Sequence, residues 1–304
     1  MARLLPLIAA VLVLAGGGLV VAAVSGAFDA DPDPAPAGDA AAAGPVRLEK
    51  DRFDEARAFD DLRRQVEMGP RPAGSDTARE LARRLADELP RGRIEPVPGG
   101  LQNVVGRLKG RGKRAVVVAA HYDTKDIPGF VGANDGAGGT AAVLEIARAM
   151  RRTKRPHPEL RFVLFDGEES PDDSRPFYSS GLRGSRHYAR TKGDEVRAVV
   201  VLDFVAEKGA MRIPREAGSD PKLWRRLRAA ARRVGAQRAF PRGTVGEVLD
   251  DHTPFARRGI PAIDLIDFTF DCWHETCDDM DAVSSRSLDM AGETVVEMLL
   301  SWDR

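Results

Sequence analysis

Two segments near the start of the chain carry apolar residues at helical spacing, residues 51–68 and 75–89. The stretch GPRPAGS lies between them and predicts a turn, and Ser75 is the predicted N-cap of the second helix. The same spacing predicts four later helices. They cover residues 139–150, 181–190, 221–234 and 287–302.

Five segments predict strands, and they cover residues 103–108, 114–123, 160–166, 198–204 and 261–268. The second of them is a continuous apolar run of the kind found when both faces of a sheet are covered. From this strand onwards, predicted strands alternate with predicted helices. This alternation predicts a single α/β domain with a mixed, mostly parallel central sheet and helices on both of its faces. In such a fold, ligands bind where the parallel strands end.

The N-terminal part of the chain has a different pattern. Residues 4–28 contain no charge and are long enough to cross a bilayer, for which about 20 residues suffice. Because the run is rich in glycine and ends in small residues, it also fits a cleaved signal peptide within residues 1–28. Residues 29–45 are rich in Ala, Pro and Asp and predict a disordered linker. We expect the folded domain to cover residues 46–304 and to lie outside the cytoplasm, either anchored or secreted.

The amino-acid composition limits the kinds of partner that the chain is expected to bind. The 304 residues include 46 Lys and Arg against 46 Asp and Glu, so the formal net charge is zero. Such a chain has no long-range field that would recruit nucleic acid or an anionic membrane, and we expect no nucleic-acid partner. With 43% hydrophobic residues, the chain can bury a substantial core. The sequence leaves the oligomeric state open.

Polar residues collect at the C-terminal ends of the predicted strands, and one more lies in the glycine-rich loop GFVGANDGAGG. A single Asp at a strand end is usually a cap or turn residue. Several carboxylates at one rim, however, repel each other unless a cation lies among them. Oxygen and nitrogen ligands without thiolate suit a zinc ion with an open coordination position. The candidate residues for this metal centre are His121, Asp123, Asp135, Asp166, Glu168, Glu169, Asp203 and His274.

Two local patterns sharpen this prediction. The glycines of GANDGAGG permit a tight turn that would point Asp135 inward where a helix begins. The side chains of Glu168 and Glu169 diverge at a strand end, so one carboxylate can bind metal while the other carries protons. Metal-assisted attack on a carbonyl requires both roles.

The motifs HYDTK, FVGANDGA, FDGEE, DDHTPFARRGIPAI and WH occur in an order and spacing that resemble the zinc aminopeptidase family that also contains the glutaminyl-peptide cyclotransferases. The resemblance extends from about Arg71 to the C-terminus and implies one or two zinc ions. It implies that Glu168 is the general base and that Asp123 orients His121 from behind. The metal ligands that it implies are His121, Asp135, Glu169, Asp203 and His274, with Asp135 bridging when two ions bind.

Within this family the chain looks closer to the cyclotransferases than to the peptidases. Asp250 matches an Asp that forms an acidic network with the Glu base, and Trp273 matches a Trp of the substrate pocket, to which Phe270 is also assigned. The alternatives are that Asp250 caps a helix and that Trp273 packs in the core. The chain departs from the cyclotransferase pattern because the loop after the glutamates has no Trp and offers only Phe177 and Tyr178.

The resemblance implies a zinc-dependent glutaminyl-peptide cyclotransferase that forms N-terminal pyroglutamate and releases ammonia, with the N-termini of peptides or proteins as substrates. The alternative is a zinc aminopeptidase that hydrolyses N-terminal residues from peptides, because the same ligands and the same base serve both reactions. A tethered binding domain without catalysis is a third hypothesis. It is disfavoured because the base and every ligand position are filled.

The two cysteines of the chain, Cys272 and Cys277, bracket His274. The carboxylates and imidazoles already complete a metal site, and the cysteine spacing lacks the two-residue gap of a redox pair or a zinc knuckle. A local disulfide and a pair of free thiols both stay open on these grounds. Some secreted aminopeptidases of the family carry a disulfide around the metal-binding His, and the resemblance therefore implies the bridge. His187 and His252 are predicted to be structural rather than ligands.

Overall fold

The computed structural model describes residues 48–154, 157–209 and 211–302. The apolar segment 4–28 and the linker 29–45 lie outside the described residues. Within the described ranges, no helix is both long enough and apolar enough to cross a bilayer.

A six-stranded sheet forms the centre of the described chain. Its strands are β1 (Arg93–Val97), β2 (Leu101–Leu108), β3 (Arg111–His121), β4 (Pro158–Phe165), β5 (Val196–Leu202) and β8 (Ala262–Leu265), and a separate pair consists of β6 (Arg215–Glu216) and β7 (Thr244–Val245). The order across the sheet is β1-β2-β4-β3-β5-β8. Strands β4, β3, β5 and β8 are parallel, whereas β1 and β2 form an antiparallel edge. The predicted mixed, mostly parallel sheet is confirmed.

The helices follow the predicted order. They are α1 (Glu55–Val66), α2 (Asp76–Glu88), α3 (Gly139–Arg152), α4 (Phe177–Ser180), α5 (Arg183–Lys192), α6 (Pro221–Val234), α7 (Thr253–Ala256) and α8 (Ser285–Leu300). Ser75 caps α2, because its side chain accepts a hydrogen bond from the backbone N–H of Ala78. The predicted bounds of α6 agree with the structure, since Asp220 caps its start, Pro221 occupies its first position and Gly235 ends it in the left-handed conformation.

Alternate residues of the central strand β3 face two different apolar layers. Val116 and Val118 belong to the larger core, which also contains the apolar faces of α1, α2, α3, α6 and α8. Val117 and Ala119 belong to a smaller core that includes residues of α5 and α7. Both faces of the sheet are therefore covered, and in such a fold ligands bind at the C-terminal ends of the parallel strands.

Five of these elements were not predicted, and two of them, β6 and β7, have only two residues each. Strand β1 has the sequence RIEPV, in which charged residues and Pro96 hide the pattern of a strand, and a proline is tolerated there because β1 lies at the sheet edge. Helices α4 and α7 have four residues each, which is too short for helical periodicity to be visible.

Candidate metal centre

Two neighbouring parallel strands bring the first group of polar residues together. His121 is the last residue of β3, and Asp203 directly follows β5. The Nε2 atom of His121 lies 3.2 Å from Oδ1 of Asp135 and 3.5 Å from Oδ1 of Asp203. All three side chains are buried, and their ligand atoms lie within 4.8 Å of one another. We call these three residues the inner triad.

A second group shares Asp135 with the first. The Nε2 atom of His274 lies 3.2 Å from Oε1 of Glu169 and 3.6 Å from Oδ2 of Asp135. These three residues also offer ligand atoms within 4.8 Å of one another, and we call them the outer triad. The His274 side chain is 25% exposed, so the outer triad faces the surface. Because Asp135 belongs to both groups, the structure brings all five predicted ligands into one cluster.

Two buried atoms of this cluster lack a hydrogen-bond partner, which is expected where a cation binds. Nε2 of His121 and Oδ2 of Asp135 are buried and have no hydrogen-bond partner. A buried polar atom without a partner costs about 1–3 kcal/mol, and more when the group is charged. Three carboxylates and two imidazoles without thiolate form a donor set that suits zinc. The residues present therefore fit one zinc ion, or two ions that share Asp135.

The turn that carries Asp135 explains why the sequence needs its glycines. Residues 133–138 form an irregular helical turn ahead of α3, in which Asp135 leaves helical geometry and Gly136 has φ = 91°. A Cβ atom on Gly136 would lie 2.8 Å from the carbonyl oxygen of Asp123. Asp278 fixes the turn, because its carboxylate accepts hydrogen bonds from the N–H groups of Asn134 and Asp135 at 2.7 and 3.0 Å. Asp278 was not among the predicted site residues.

Asp123 lies behind the cluster, where the sequence analysis expected it. One oxygen of its carboxylate lies 3.6 Å from Nδ1 of His121. The two oxygens also accept hydrogen bonds from the backbone N–H groups of Glu168 and Glu169, each at 3.2 Å. Asp123 thus fixes the loop of the glutamate pair as well as the imidazole. This second contact was not predicted.

A buried arginine holds the backbone beneath the site. Arg71 is fully buried and donates hydrogen bonds to the carbonyl oxygens of Tyr122, Val131 and Gly132, which flank His121 and precede Asp135. Burial lowers the pKa of Arg71 to about 10, against the opposing effect of Asp135, Asp278 and Asp123. The guanidinium therefore remains charged at neutral pH and joins the two loops that carry the inner triad.

Burial and mutual repulsion shift the pKa values of the acidic side chains in the site. Burial raises the pKa of Glu168 well above its ordinary value; the charge of His121 opposes this shift, and the charges of Glu169 and Asp250 add to it. Burial likewise raises the pKa of Asp203 to about 7, against the effect of His121. For His121, burial lowers the pKa, but the nearby carboxylates of Asp123, Asp135 and Asp203 outweigh it and raise the pKa well above 6.5. Glu168 belongs to neither triad.

Asp250 does not cap a helix. Helix α7 begins after His252, and no side chain caps it. The Asp250 carboxylate is buried, accepts a hydrogen bond from the N–H of Asp251 through one oxygen and has no partner at the other. This position leaves its charge to act on Glu168 and Asp203, whose pKa values it raises.

Two further acids beside Asp250 were missed. Asp264 lies inside β8 and Glu216 inside β6, and His252 lies between them, 3.4 Å from Oε1 of Glu216 and 3.8 Å from Oδ2 of Asp264. His252 is therefore outside both triads. A charged residue in the middle of a buried strand was the signal that the sequence offered for Asp264.

The predicted aromatic residues occupy different environments. Trp273 is 47% exposed and stacks on the His274 ring with centroids 4.6 Å apart, so it does not pack in the core. Phe270 is buried and packs against Phe204. Phe268, which was not predicted, is 50% exposed and lies 5.2 Å from the Trp273 ring. The two exposed rings form an apolar surface next to the outer triad.

A disulfide joins Cys272 to Cys277. The bridge implied by the resemblance is therefore present, and both free thiols and cysteine metal ligands are excluded. The closed loop contains His274 and Trp273, so it fixes the segment that delivers the last ligand of the outer triad.

Comparison with known proteins agrees with this geometry. Residues 103–299 match the model of peptidase family M28, and this range contains every proposed ligand. The chain belongs to peptidase family M28. The predicted membership of the aminopeptidase and cyclotransferase family is therefore confirmed.

Several members of the family are similar to this chain. The bovine glutaminyl-peptide cyclotransferase is 29% identical over 245 residues, which is 66% of this chain and 66% of the relative. The chain spans about two thirds of the length of the curated relatives that it matches, or less. The crystal structure of Porphyromonas gingivalis glutaminyl cyclase is 29% identical with a TM-score of 0.72, covering 82% of this chain and 99% of that one. A leucine aminopeptidase precursor from Bacteroides thetaiotaomicron is 24% identical with a TM-score of 0.75, covering 84% of this chain and 99% of that one, and shares the fold.

Proposed function

We propose that the chain is a zinc-dependent glutaminyl-peptide cyclotransferase, which converts an N-terminal glutamine into pyroglutamate and releases ammonia. The observation that carries the proposal is Glu168, a buried carboxyl group of raised pKa that lies beside both triads but belongs to neither. A general base works best when its pKa lies near the operating pH. The similarity to proteins named glutaminyl-peptide cyclotransferase supports the choice of reaction.

Five residues would hold the zinc. They are His121, Asp135, Glu169, Asp203 and His274, with Asp135 shared when two ions bind. Bound zinc would polarise the γ-amide carbonyl of the substrate. Asp123 would keep His121 and the glutamate loop in position, since it contacts both.

Glu168 would move the protons of the reaction. The substrate's α-amino nitrogen forms a bond to the γ-carbonyl carbon, and the bond from that carbon to the amide nitrogen breaks. Glu168 would accept the proton that the amine loses and return it to the departing ammonia. The charge of Asp250 raises the pKa values of Glu168 and Asp203, and Asp250 and Asp203 would assist this proton transfer. Because ring closure is intramolecular, a substrate that is held bent gains much of its rate from orientation alone.

The exposed ring of Trp273 would contact the substrate beside the metal. We also propose that Phe270 belongs to the substrate pocket. Its burial against Phe204 gives it a supporting position behind the surface that Trp273 and Phe268 form.

The second candidate is an aminopeptidase that hydrolyses the N-terminal residue of a peptide. The observation that favours it is the sharing of Asp135 between two triads, which would place two cations side by side. Paired metal ions are used by aminopeptidases to activate water. In that reaction Glu168 would take a proton from water instead of from the substrate's own amine.

One comparison of substrates separates the two candidates. The zinc-loaded chain is incubated with a peptide that begins with Gln and, separately, with leucine amide. We expect ammonia and a pyroglutamyl peptide of otherwise unchanged length from the first substrate and no product from the second. Release of leucine without any pyroglutamate would refute the cyclotransferase and support the aminopeptidase. The zinc content per chain, measured on the same sample, distinguishes one ion from two.

We further propose that residues 46–304 act outside the cytoplasm and that residues 4–28 serve as a membrane anchor or as a cleaved signal. A disulfide beside the active centre supports this location, because such bonds persist in oxidising compartments. Fractionation of producing cells, with intact-mass analysis of the product, tests both points. A full-length product in the cytoplasm would contradict them.

A further inference from the structure

A basic cleft lies beside the loop that follows the glutamate pair. It has a volume of about 550 Å³, and none of the proposed zinc ligands lines it. Residues of α5 and the segment from α7 onwards form most of its wall. We call it the arginine cleft, and its basic residues are Arg183, Arg186, His187, Arg190, Arg257 and Arg258.

The positive charge of the cleft is largely uncompensated. Arg258 lies 3.8 Å from Asp194, whose side chain is fully exposed. Within the described part of the chain, no carboxylate forms an ion pair with the other four arginines of the cleft. The Nε atom of Arg183 is buried and has no hydrogen-bond partner. Several guanidinium groups around one cavity repel each other unless an anion occupies the space between them.

Neutral groups hold these guanidiniums in position. Arg186 donates hydrogen bonds to the carbonyl oxygens of Ser179 and Gly181, at 3.0 and 3.3 Å. The guanidinium carbon of Arg257 lies 3.7 Å from the centroid of the Tyr178 ring, and that of Arg186 lies 5.5 Å from the same centroid. Each guanidinium has five N–H donors, so these contacts leave donors free for a ligand. These contacts hold Arg186 and Arg257 against Tyr178 without neutralising their charge.

We propose that the arginine cleft binds a compact multivalent phosphate. The planar fork of a guanidinium pairs with phosphate oxygens through two parallel hydrogen bonds, which an ammonium group cannot do. The volume of the cleft falls within the range of binding sites for small ligands, and it has room for more than one phosphate group. The faces of Tyr178 are in contact with arginines, so recognition is polar and needs no stacked base. Arg186 and Arg257 provide the main contacts.

Pyrophosphate is the probe, and calorimetry measures its binding to the zinc-loaded full chain at constant ionic strength. We expect Arg186→Gln combined with Arg257→Gln to weaken binding at least tenfold. The matched control removes two exposed arginines of α6 through Arg225→Gln and Arg232→Gln and should change the affinity less than twofold. Arg186→Lys with Arg257→Lys retains the charge and should recover only part of the affinity. Circular dichroism shows whether each variant is folded.

Several results would overturn the proposal. Equal binding by the wild type and the Arg186/Arg257 variant would place pyrophosphate on the zinc instead. An equal loss in the α6 control would indicate a general charge effect. A glutamate-rich peptide that binds the cleft while pyrophosphate does not would assign the cleft to acidic polypeptides. These measurements do not use turnover, so their outcome is independent of the proposed cyclisation.

The phosphate could come from solution or from a lipid headgroup, and vesicles distinguish the two sources. The full chain is mixed with vesicles that contain phosphatidic acid, whose phosphomonoester headgroup can carry two negative charges, and, as a control, with vesicles of phosphatidylcholine. If binding to the phosphatidic acid vesicles falls in the Arg186/Arg257 variant and is displaced by pyrophosphate, the source is the headgroup. If pyrophosphate binds while vesicle binding is the same in the variant and the wild type, the source is a soluble phosphate.

Discussion

The inner and outer triads share Asp135 but are built in different ways. His121 and Asp203 of the inner triad lie at the ends of two neighbouring strands, β3 and β5, and are almost fully buried. In the outer triad, Glu169 follows β4, whereas His274 lies in a loop and is 25% exposed. The backbone of His274 has φ = 55°, a left-handed conformation that residues other than glycine seldom adopt.

This contrast separates a rigid part of the site from an adaptable one. Two strands of the sheet fix the positions of His121 and Asp203, so a cation there would be held by the fold itself. His274 depends on a loop, a disulfide and its contact with Trp273. The outer triad is therefore the side at which substrate would arrive.

The largest effect is expected from the residue that both triads share. Asp135→Asn removes one charge from each triad while the size of the side chain is retained. Loss of a partner behind a metal ligand already lowers metal affinity by about 10- to 100-fold, and loss of a shared ligand should exceed this. We expect zinc to be lost from both positions and turnover to fall to background. Metal analysis after dialysis measures this, and a variant that retains full zinc content would contradict the shared role.

The second-largest effect is expected on catalysis, from a substitution that changes no residue of either triad. Glu168→Gln should reduce kcat by about 10²- to 10⁴-fold, the usual contribution of a general base. Zinc content should not change, because Glu168 belongs to neither triad. Normal turnover in this variant would show that another group is the base. Asp250→Asn serves as a companion variant and should give a smaller loss of kcat with unchanged zinc.

The two histidines should differ in their effects on stability. In the metal-free chain, His121→Ala leaves buried carboxylates without a partner and should lower the free energy of unfolding by about 2–4 kcal/mol. His274→Ala should lower it by less than about 1 kcal/mol, because the side chain is partly exposed and its ion pair is screened by solvent. Urea unfolding of both variants with a chelator present measures the difference. Equal losses would remove the distinction between the triads.

The inner triad and the strand-borne residues were the predictable part of the site. The apolar runs before His121, Glu168 and Asp203 predict parallel strands, and parallel strands place the residues that follow them at one rim. The glycines around Asp135 predict the turn that brings it to the same rim. These inferences depend only on local pattern and on the geometry of the α/β fold.

The outer side was predictable only in part. Glu169 and His274 were candidates because they follow predicted strands, but the role of His274 as a ligand and the disulfide followed from the resemblance, because a loop has no period from which its path can be derived. Asp278 and Phe268 lie in the same region and contact residues far away in the chain, Asn134 and Phe204, which local pattern does not contain. The arginine cleft was missed for the same reason, since its residues come from separate segments that each resemble a solvated helix face.

The buried acids predict how stability should vary with pH. The pKa values of Asp166, Asp203 and Asp278 are each raised to about 7, with burial as the main cause. In the unfolded chain such groups have pKa values of about 4. Between these values the folded chain binds more protons than the unfolded chain, so the free energy of unfolding falls as pH rises. The raised pKa values of His121 and His274 act in the same direction.

Metal-free protein should therefore be more stable at pH 5.5 than at pH 7.5, by about 2 kcal/mol for each carboxyl group whose pKa is raised from about 4 to about 7. Zinc should reverse the trend, because it stabilises the ionised ligands and its binding releases protons. Urea unfolding at both pH values, with zinc and with chelator, provides the four measurements. Greater stability of the metal-free chain at pH 7.5 would mean that the carboxyl groups are already ionised and compensated.

The smallest effect concerns the disulfide, and it tests whether the outer triad depends on its loop. Cys272→Ser with Cys277→Ser opens a loop of only a few residues, and the loss of so short a closure should lower stability by at most about 2 kcal/mol. The two zinc positions should respond differently to the loss of the disulfide.

An ion held by His121, Asp135 and Asp203 should bind as before, because no atom of the inner triad lies in the loop. The affinity of the outer position should fall by less than about tenfold, since His274 retains its contacts with Glu169 and Phe130. Zinc titration of the variant should therefore separate one tight site from one weakened site, and equal weakening of both would show that the triads form a single rigid unit.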